Sequence, residues 1–124
     1  ADEIMEKNIL PFGRDLLSLD GQTEYGNCTD YVSLLSIDDY RLYRKLIPNN
    51  EQWWWLLTPW STPCNGYETQ VSVVSPSGII NDSICNNCNG VRPLCIFSPN
   101  LLWTRCRTSR LKSTNVCLKQ IGQI

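Results

Sequence analysis

The sequence predicts a single α+β domain with a short antiparallel sheet, one or two helices and long loops. Three observations predict it: one segment with a capping signal and helical spacing, one β-branched hairpin, and frequent turn residues between short apolar runs. The chain of 124 residues is long enough for one core of ordinary size and too short for two. Hydrophobic residues make up 42% and charged residues 19%, so the chain can bury a core and does not have the composition of a disordered protein.

The N-terminal half carries the helix signal. Glycine and proline interrupt the first thirty residues, which predicts loops and short strands there, and residues 31–35 predict a further short strand. Ser36 and Asp39 then have the spacing of a helix capping box. Apolar residues follow at helical spacing until Pro48 stops the run. Residues 37–47 are therefore predicted to be a helix.

An aromatic segment follows in which Trp53, Trp54 and Trp55 are consecutive. Because side chains alternate across a strand, we expect Trp54 on one face and the other two on the opposite face. Some of these large side chains must belong to the core.

The second half predicts a hairpin and one later strand. Residues 71–75 and 79–80 are rich in β-branched side chains and flank a Pro-Ser-Gly turn. Residues 81–90 are polar and are predicted to be a turn-rich loop. Residues 91–97 predict a strand in which Pro93 indicates an edge position or a bulge. Residues 98–124 show no strong period and form an unassigned tail.

Charge patterning argues against nucleic-acid and membrane partners. The net charge of -1 provides no global field that would attract either one. All twelve acidic residues lie at or before Asp82, so the C-terminal third is basic, which is more often a solvated terminal segment than a binding site. No apolar run is long enough to cross a bilayer, so membrane insertion is not expected.

The seven cysteines predict neither a complete disulfide framework nor a metal centre. Their odd number leaves at least one outside any internal pairing. Cys85 and Cys88 form a lone C-x-x-C, and zinc would need two further soft ligands in a chain without histidine. The intervening asparagines do not resemble the helix start of a thioredoxin-like redox site. We expect thiols in a turn, with no metal and no cofactor.

The order of the motifs resembles the C-type-lectin-like domains related to the formylglycine-generating enzyme fold. The resemblance is carried by W-W-W-L-L-T-P at 53–59, the hairpin with S-G at 77–78, and N-G-V-R-P at 89–93. The chain is similar to small phage and gut-bacterial domains of this kind, some of which are variable proteins of diversity-generating retroelements. The resemblance covers residues 31–97 well, covers the first thirty weakly, and does not cover 98–124.

The resemblance implies a C-type-lectin-like fold in which Trp54, Gly90, Arg92 and Pro93 are scaffold. It also implies a variable surface, because retroelement mutagenesis acts on template adenines and leaves positions rich in Asn, Tyr, Ser and Asp. The matching ligand-binding positions are Leu57, Trp60, Asn65, Tyr67, Glu68, Thr69, Asn81, Asp82, Ser83, Ile84, Asn86 and Asn87. An ordinary asparagine-rich turn is the alternative for the last of these positions.

The expected function is therefore that of a non-enzymatic module that binds a macromolecular ligand, either a protein or a cell-surface glycan. No catalytic residue is predicted, because histidine is absent and helix capping explains the carboxylates at Asp38 and Asp39. The loop motifs of calcium-dependent sugar binding are also missing. A phage particle or a bacterial cell surface is the expected location, and a homo-oligomer is compatible with the sequence.

Two other functions stay open at this point. The chain could be a structural component of a phage particle or bacterial surface assembly, or a divergent catalytic member of the formylglycine-generating-enzyme-like group.

Overall fold

The computed structural model describes residues 8–99 and a two-residue strand at 116–117. In chain order, its strands are β1 Ile9–Leu10, β2 Phe12–Asp15, β3 Asn27–Asp30, β4 Ser33–Leu34, β5 Trp54–Pro59, β6 Gln70–Val74, β7 Ile80–Ile84, β8 Pro93–Phe97 and β9 Val116–Cys117. Its helices are α1 Ile37–Leu42 and two 3-10 helices, Arg44–Leu46 and Pro63–Asn65. Small antiparallel sheets with one short helix and long loops confirm the α+β class.

Three small antiparallel sheets organise the described residues. The central sheet has the order β5-β6-β7, β2 pairs with β3, and β8 pairs with β1, β4 and β9. The predicted hairpin is the β6–β7 pair, and Val74 lies opposite Ile80 at its turn. The short strands predicted in the first thirty residues are also present.

The helix begins where the sequence predicts. The Asp39 N–H donates to Ser36 Oγ and the Ser36 N–H donates to the Asp39 carboxylate, each at 3.0 Å, so the capping box is confirmed. The helix is not continuous to residue 47, because α1 ends at Leu42 and a 3-10 turn follows. The Ile37 N–H donates to Thr58 Oγ1 at 2.9 Å, which fixes the start of α1 against β5.

The core forms around Trp54, which is 1% exposed. Side chains alternate along β5: Trp54, Leu56 and Thr58 are buried, and the intervening residues are half-buried. The ring of Tyr40 meets that of Trp54 edge-to-face, with the centroids 5.5 Å apart. The predicted alternation of the tryptophans is therefore confirmed. The core cluster comprises Leu35, Ile37, Tyr40, Ile47, Trp54, Leu56, Val74 and Leu94.

Arg92 is buried beside this core and contacts one carbonyl and one aromatic ring. Its Nη1 donates to the carbonyl of Pro48 at 2.9 Å, and its Cζ lies 4.7 Å from the centroid of the Trp54 ring. The indole face thus stabilises the guanidinium through a cation–π contact, in addition to the single carbonyl acceptor. Burial lowers the pKa of Arg92 from its usual value.

Two details of the strands differ from the sequence-based expectation. Residues 81–84 were predicted to be a loop, but they form most of β7, because pairing with β6 outweighs their weak intrinsic strand preference. Pro93 was predicted to indicate an edge position or a bulge, but β8 lies between β1 and β4; Pro93 is its first residue, a position where proline is tolerated. Most of the unassigned tail 98–124, with its basic residues, lies outside the described residues.

None of the helices in the described part of the chain is long and apolar enough to span a membrane.

Candidate functional site

One end of the central sheet brings together most of the predicted ligand-binding positions. The Trp60 N–H donates to the Gln70 carbonyl at 3.1 Å, and the Cys85 N–H donates to the Thr69 carbonyl at 2.8 Å. These bonds place the end of β5, the start of β6 and the end of β7 side by side. We call this region the sheet-end surface; its residues are Trp60, Tyr67, Glu68, Thr69, Ile84, Asn86 and Asn87.

The sheet-end surface presents apolar and amide side chains to solvent together. Tyr67 is 53% exposed and Ile84 is 46% exposed, and Asn86 and Asn87 are also exposed. Trp60 is half-buried. An exposed aromatic ring beside adaptable amide groups is the chemistry with which antibody loops bind their targets.

A short 3-10 turn holds Tyr67 in place. The turn Pro63–Asn65 ends at Gly66, whose φ of 70° lies in the left-handed region that glycine adopts without strain. The Tyr67 N–H then donates to the carbonyl of Thr62, a residue with 0% exposure, at 3.3 Å. The exposed ring is therefore carried by a backbone that is anchored in the interior.

The asparagine-rich stretch does not protrude as an open loop. Ser83 Oγ, on the edge strand β7, accepts hydrogen bonds from Asn87 Nδ2 at 2.9 Å and from Asn89 Nδ2 at 3.2 Å. At the far edge, the Gly90 N–H donates to the Trp53 carbonyl at 2.7 Å and the Trp55 N–H donates to the Gly90 carbonyl at 2.9 Å. Residues 85–90, the crossing segment, therefore cross the face of the sheet that lies opposite the core.

Two observations agree with this path of the crossing segment. Val73 has 0% exposure although its side chain points away from the core face, so the outer face must be covered at that point. A Cβ atom on Gly90 would lie 3.2 Å from the Trp53 carbonyl oxygen, so glycine permits the close approach of the two backbones.

The remaining predicted positions are not part of the sheet-end surface. Leu57, Asn81 and Ser83 belong to the outer face of the central sheet, whereas Asp82 is on the core side by alternation along β7. The side chain of Asn65 donates to Asp20 Oδ2 at 2.7 Å. The twelve positions thus divide into one cluster and several separate locations.

Sequence reasoning missed the carboxylate that anchors Asn65. Asp20 accepts hydrogen bonds from the hydroxyls of Ser18 and Ser61 as well as from Asn65, and these bonds lower the pKa of its carboxyl group. The network joins two loops that lie far apart in the sequence. Nothing local in the sequence indicates that Asp20 would bond residues 61 and 65.

Cys64 lies beside this network, next to the carboxylate of Glu24. Its N–H donates to Glu24 Oε2 at 3.1 Å. A hydrogen bond between the thiol and the Glu24 carboxylate raises the pKa of Cys64 and lowers the pKa of Glu24. Because the thiolate is the nucleophile, this environment is the opposite of the one that activates a catalytic cysteine.

Within residues 8–99, no group of three or more Cys, Asp or Glu side chains is arranged to hold a metal ion.

Comparison with protein families gives a match over most of the described residues. A family model described as "Domain of unknown function (DUF6273)" matches residues 12–99. The match begins at the first residue of β2 and ends two residues after β8, so it leaves out β1 but includes β2 and β3 as well as the central sheet. No curated protein and no solved structure matches the chain.

Proposed function

The chain belongs to the DUF6273 family, and we propose that it is a non-enzymatic module that binds a macromolecular ligand through the sheet-end surface. The observation that carries the proposal is the exposure of Tyr67 and Ile84 on backbone that hydrogen bonds fix to the central sheet. A large apolar side chain exposed at a rigid position loses little conformational entropy on binding, so it favours recognition.

The proposal includes a C-type-lectin-like arrangement of the domain. It is supported by contacts among the residues to which the resemblance gives a scaffold role. Trp54 and Gly90 are paired through their backbones, and Arg92 lies against the Trp54 ring. Their contacts separate a fixed interior from exposed loops, and such a scaffold tolerates changes in loop identity.

A binding role also agrees with the chemistry of the described side chains. The sequence contains no histidine, the Asp39 carboxylate is used in helix capping and an ion pair with Arg14, and the pKa of Cys64 is raised. These groups are engaged in structural contacts instead of being available as an acid, base or nucleophile. The target that fits the sheet-end surface is a protein or a cell-surface glycan, and the setting we propose is that of a retroelement-diversified protein of a phage or bacterial surface.

Sequencing of the same locus in sibling isolates tests the diversified surface directly. We expect substitutions to concentrate between residues 57 and 87, at exposed positions such as Tyr67, Ile84 and Asn86. Trp54 and Arg92 should not vary, because they are buried. Substitutions spread evenly over buried and exposed positions would instead favour a structural component of a phage or surface assembly.

A binding measurement tests the surface itself. The purified chain and its Tyr67→Ala variant are applied to an array of bacterial surface proteins and glycans, with Leu42→Ala as the matched control. Leu42 is 73% exposed but lies on α1, outside the sheet-end surface. We expect the Tyr67 variant to lose at least a tenfold factor in affinity for any target bound by the wild type, and the control to lose none. Equal affinity of all three proteins would show that another surface binds.

A further inference from the structure

We propose that Cys85 and Cys88 form an intramolecular disulfide that closes a ring around Asn86 and Asn87 in the crossing segment. Both cysteines are exposed. They are separated by only two residues, on a stretch of chain that is tethered at each end.

The backbone path keeps the two cysteines close. The Asn87 N–H donates to the Ile84 carbonyl at 3.0 Å, which closes a turn, and the ends of such a turn lie within about 7 Å of one another. Cys85 is inside this turn and Cys88 directly follows it. The chain has reversed its direction there, because the side chain of Asn89 already donates back to Ser83. Disulfides need Cα atoms roughly 4.4–6.8 Å apart, a spacing that a segment turned in this way can adopt.

Two other cysteines, Cys28 and Cys64, are in environments that disfavour oxidation. The Cys28 thiol donates to Asp30 Oδ2 at 3.3 Å, and the thiol of Cys64 is hydrogen-bonded to Glu24. Each carboxylate raises the pKa of its neighbouring thiol, which reduces the fraction of thiolate, the reactive form. Cys95 is buried. Cys85 and Cys88 are both exposed, so a soluble oxidant reaches both of them, whereas Cys95 lies opposite Cys117 in the β8–β9 register.

The reaction that we propose is thiol–disulfide exchange with a small-molecule disulfide such as oxidised glutathione. The thiolate of one cysteine attacks a sulfur of the small disulfide, which forms a mixed disulfide and releases one glutathione thiolate. The second cysteine, as its thiolate, then attacks the protein sulfur of the mixed disulfide and releases the second glutathione. Two protein thiols are oxidised, one glutathione disulfide is reduced to two thiols, and the two protons pass to the released thiolates.

The ring would restrict the two asparagines at the edge of the sheet-end surface. Fewer backbone conformations remain open to a four-residue ring than to the reduced segment, so oxidation stiffens the crossing segment. An effect of this stiffening on recognition rests on the proposed function, whereas formation of the disulfide is independent of that function.

The test uses the full wild-type chain, equilibrated in buffers rich in oxidised or in reduced glutathione and then quenched with an alkylating agent. Chymotryptic cleavage after Tyr67 and Leu94 releases peptide 68–94, in which Cys85 and Cys88 are the only cysteines. In the oxidised sample we expect this peptide without alkyl groups and two hydrogen atoms lighter, and in the reduced sample with two alkyl groups. Hydrogen exchange at residues 84–90 should be slower in the oxidised chain.

Two variants serve as matched comparisons. Cys64→Ser removes another exposed cysteine and should leave the peptide result unchanged, whereas Cys88→Ser should leave Cys85 alkylated or carrying glutathione. The proposal is overturned if the wild-type peptide from the oxidised sample keeps two alkyl groups, carries two glutathiones, or is linked to a second chain. Because no ligand enters this experiment, its result is independent of whether the sheet-end surface binds a target.

Discussion

Replacement of Arg92 by lysine tests the central packing unit of the domain. Arg92 is 9% exposed, donates to the Pro48 carbonyl at 2.9 Å, and lies over the Trp54 ring at 4.7 Å. A hydrogen bond from a charged group contributes about 1.5–3 kcal/mol, and a desolvated cation–π contact contributes roughly 0.5–2 kcal/mol. A lysine ammonium keeps the charge and can satisfy one of these partners, but it lacks the planar fork that reaches both. We therefore expect Arg92→Lys to lower the free energy of unfolding by about 1–3 kcal/mol.

Thermal and urea denaturation followed by tryptophan fluorescence measure this loss. For a chain of this size, each kcal/mol corresponds to a decrease in Tm on the order of 4 °C. Arg41→Lys is the matched control, because Arg41 is an exposed residue of α1 and its replacement should change stability by less than about 0.5 kcal/mol. If the Tm of Arg92→Lys equals that of the control variant, the guanidinium of Arg92 does not stabilise the domain through its bond to the Pro48 carbonyl. The scaffold role that we give to Arg92 would then be wrong.

Three further changes test other parts of the structure. Trp54→Ala should cost about 3–5 kcal/mol in the free energy of unfolding, since the side chain is fully buried; a folded variant of normal stability in urea titration would contradict the core assignment. The double variant Asn86→Ala/Asn87→Ala should change the free energy of unfolding by less than about 0.5 kcal/mol per site, so its Tm should hardly move, while its affinity for the target changes. A large drop in Tm would identify these residues as structural. Although burial raises the pKa of Asp39, its bonds with Arg14 and with the backbone of Ser36 hold that pKa below the usual value. The stability that this carboxylate contributes is present above its unfolded pKa of about 3.9 and is lost as pH falls through the folded pKa. In denaturant titrations below about pH 4, the wild type should therefore lose stability more steeply than the Asp39→Asn variant.

Features with a local cause could be predicted from the sequence. The capping box at Ser36 and Asp39 depends on residues three positions apart, and the burial of Trp54 follows from the alternation of side chains in a strand. The strand character of residues 81–84 could not be predicted, because it comes from pairing with β6 and their composition is typical of a turn. The same applies to the path of the asparagine-rich stretch, which depends on its hydrogen bonds to Ser83 and to the backbone of β5.

The candidate site was predicted as a set of positions and not as one surface. Tyr67, Ile84 and Asn86 belong to one end of the central sheet because the β5–β6 and β6–β7 pairings end there, which the spacing of residues along the chain does not reveal. Asn65 was identified as exposed and polar, but its bond to Asp20 spans 45 positions and gave no local signal.

The pairing of β1 with β8 has a consequence for the order of events during folding. Ser98 Oγ donates to Asn8 Oδ1 at 2.8 Å across a sequence separation of 90 residues, next to the rungs that join Ile9 to Phe97. Closing a flexible loop of that length costs about 4 kcal/mol in chain entropy, so this pair is expected to form after the local β6–β7 hairpin. Destabilising substitutions in β1 should then accelerate unfolding and leave the folding rate nearly unchanged, whereas substitutions in the hairpin should slow folding.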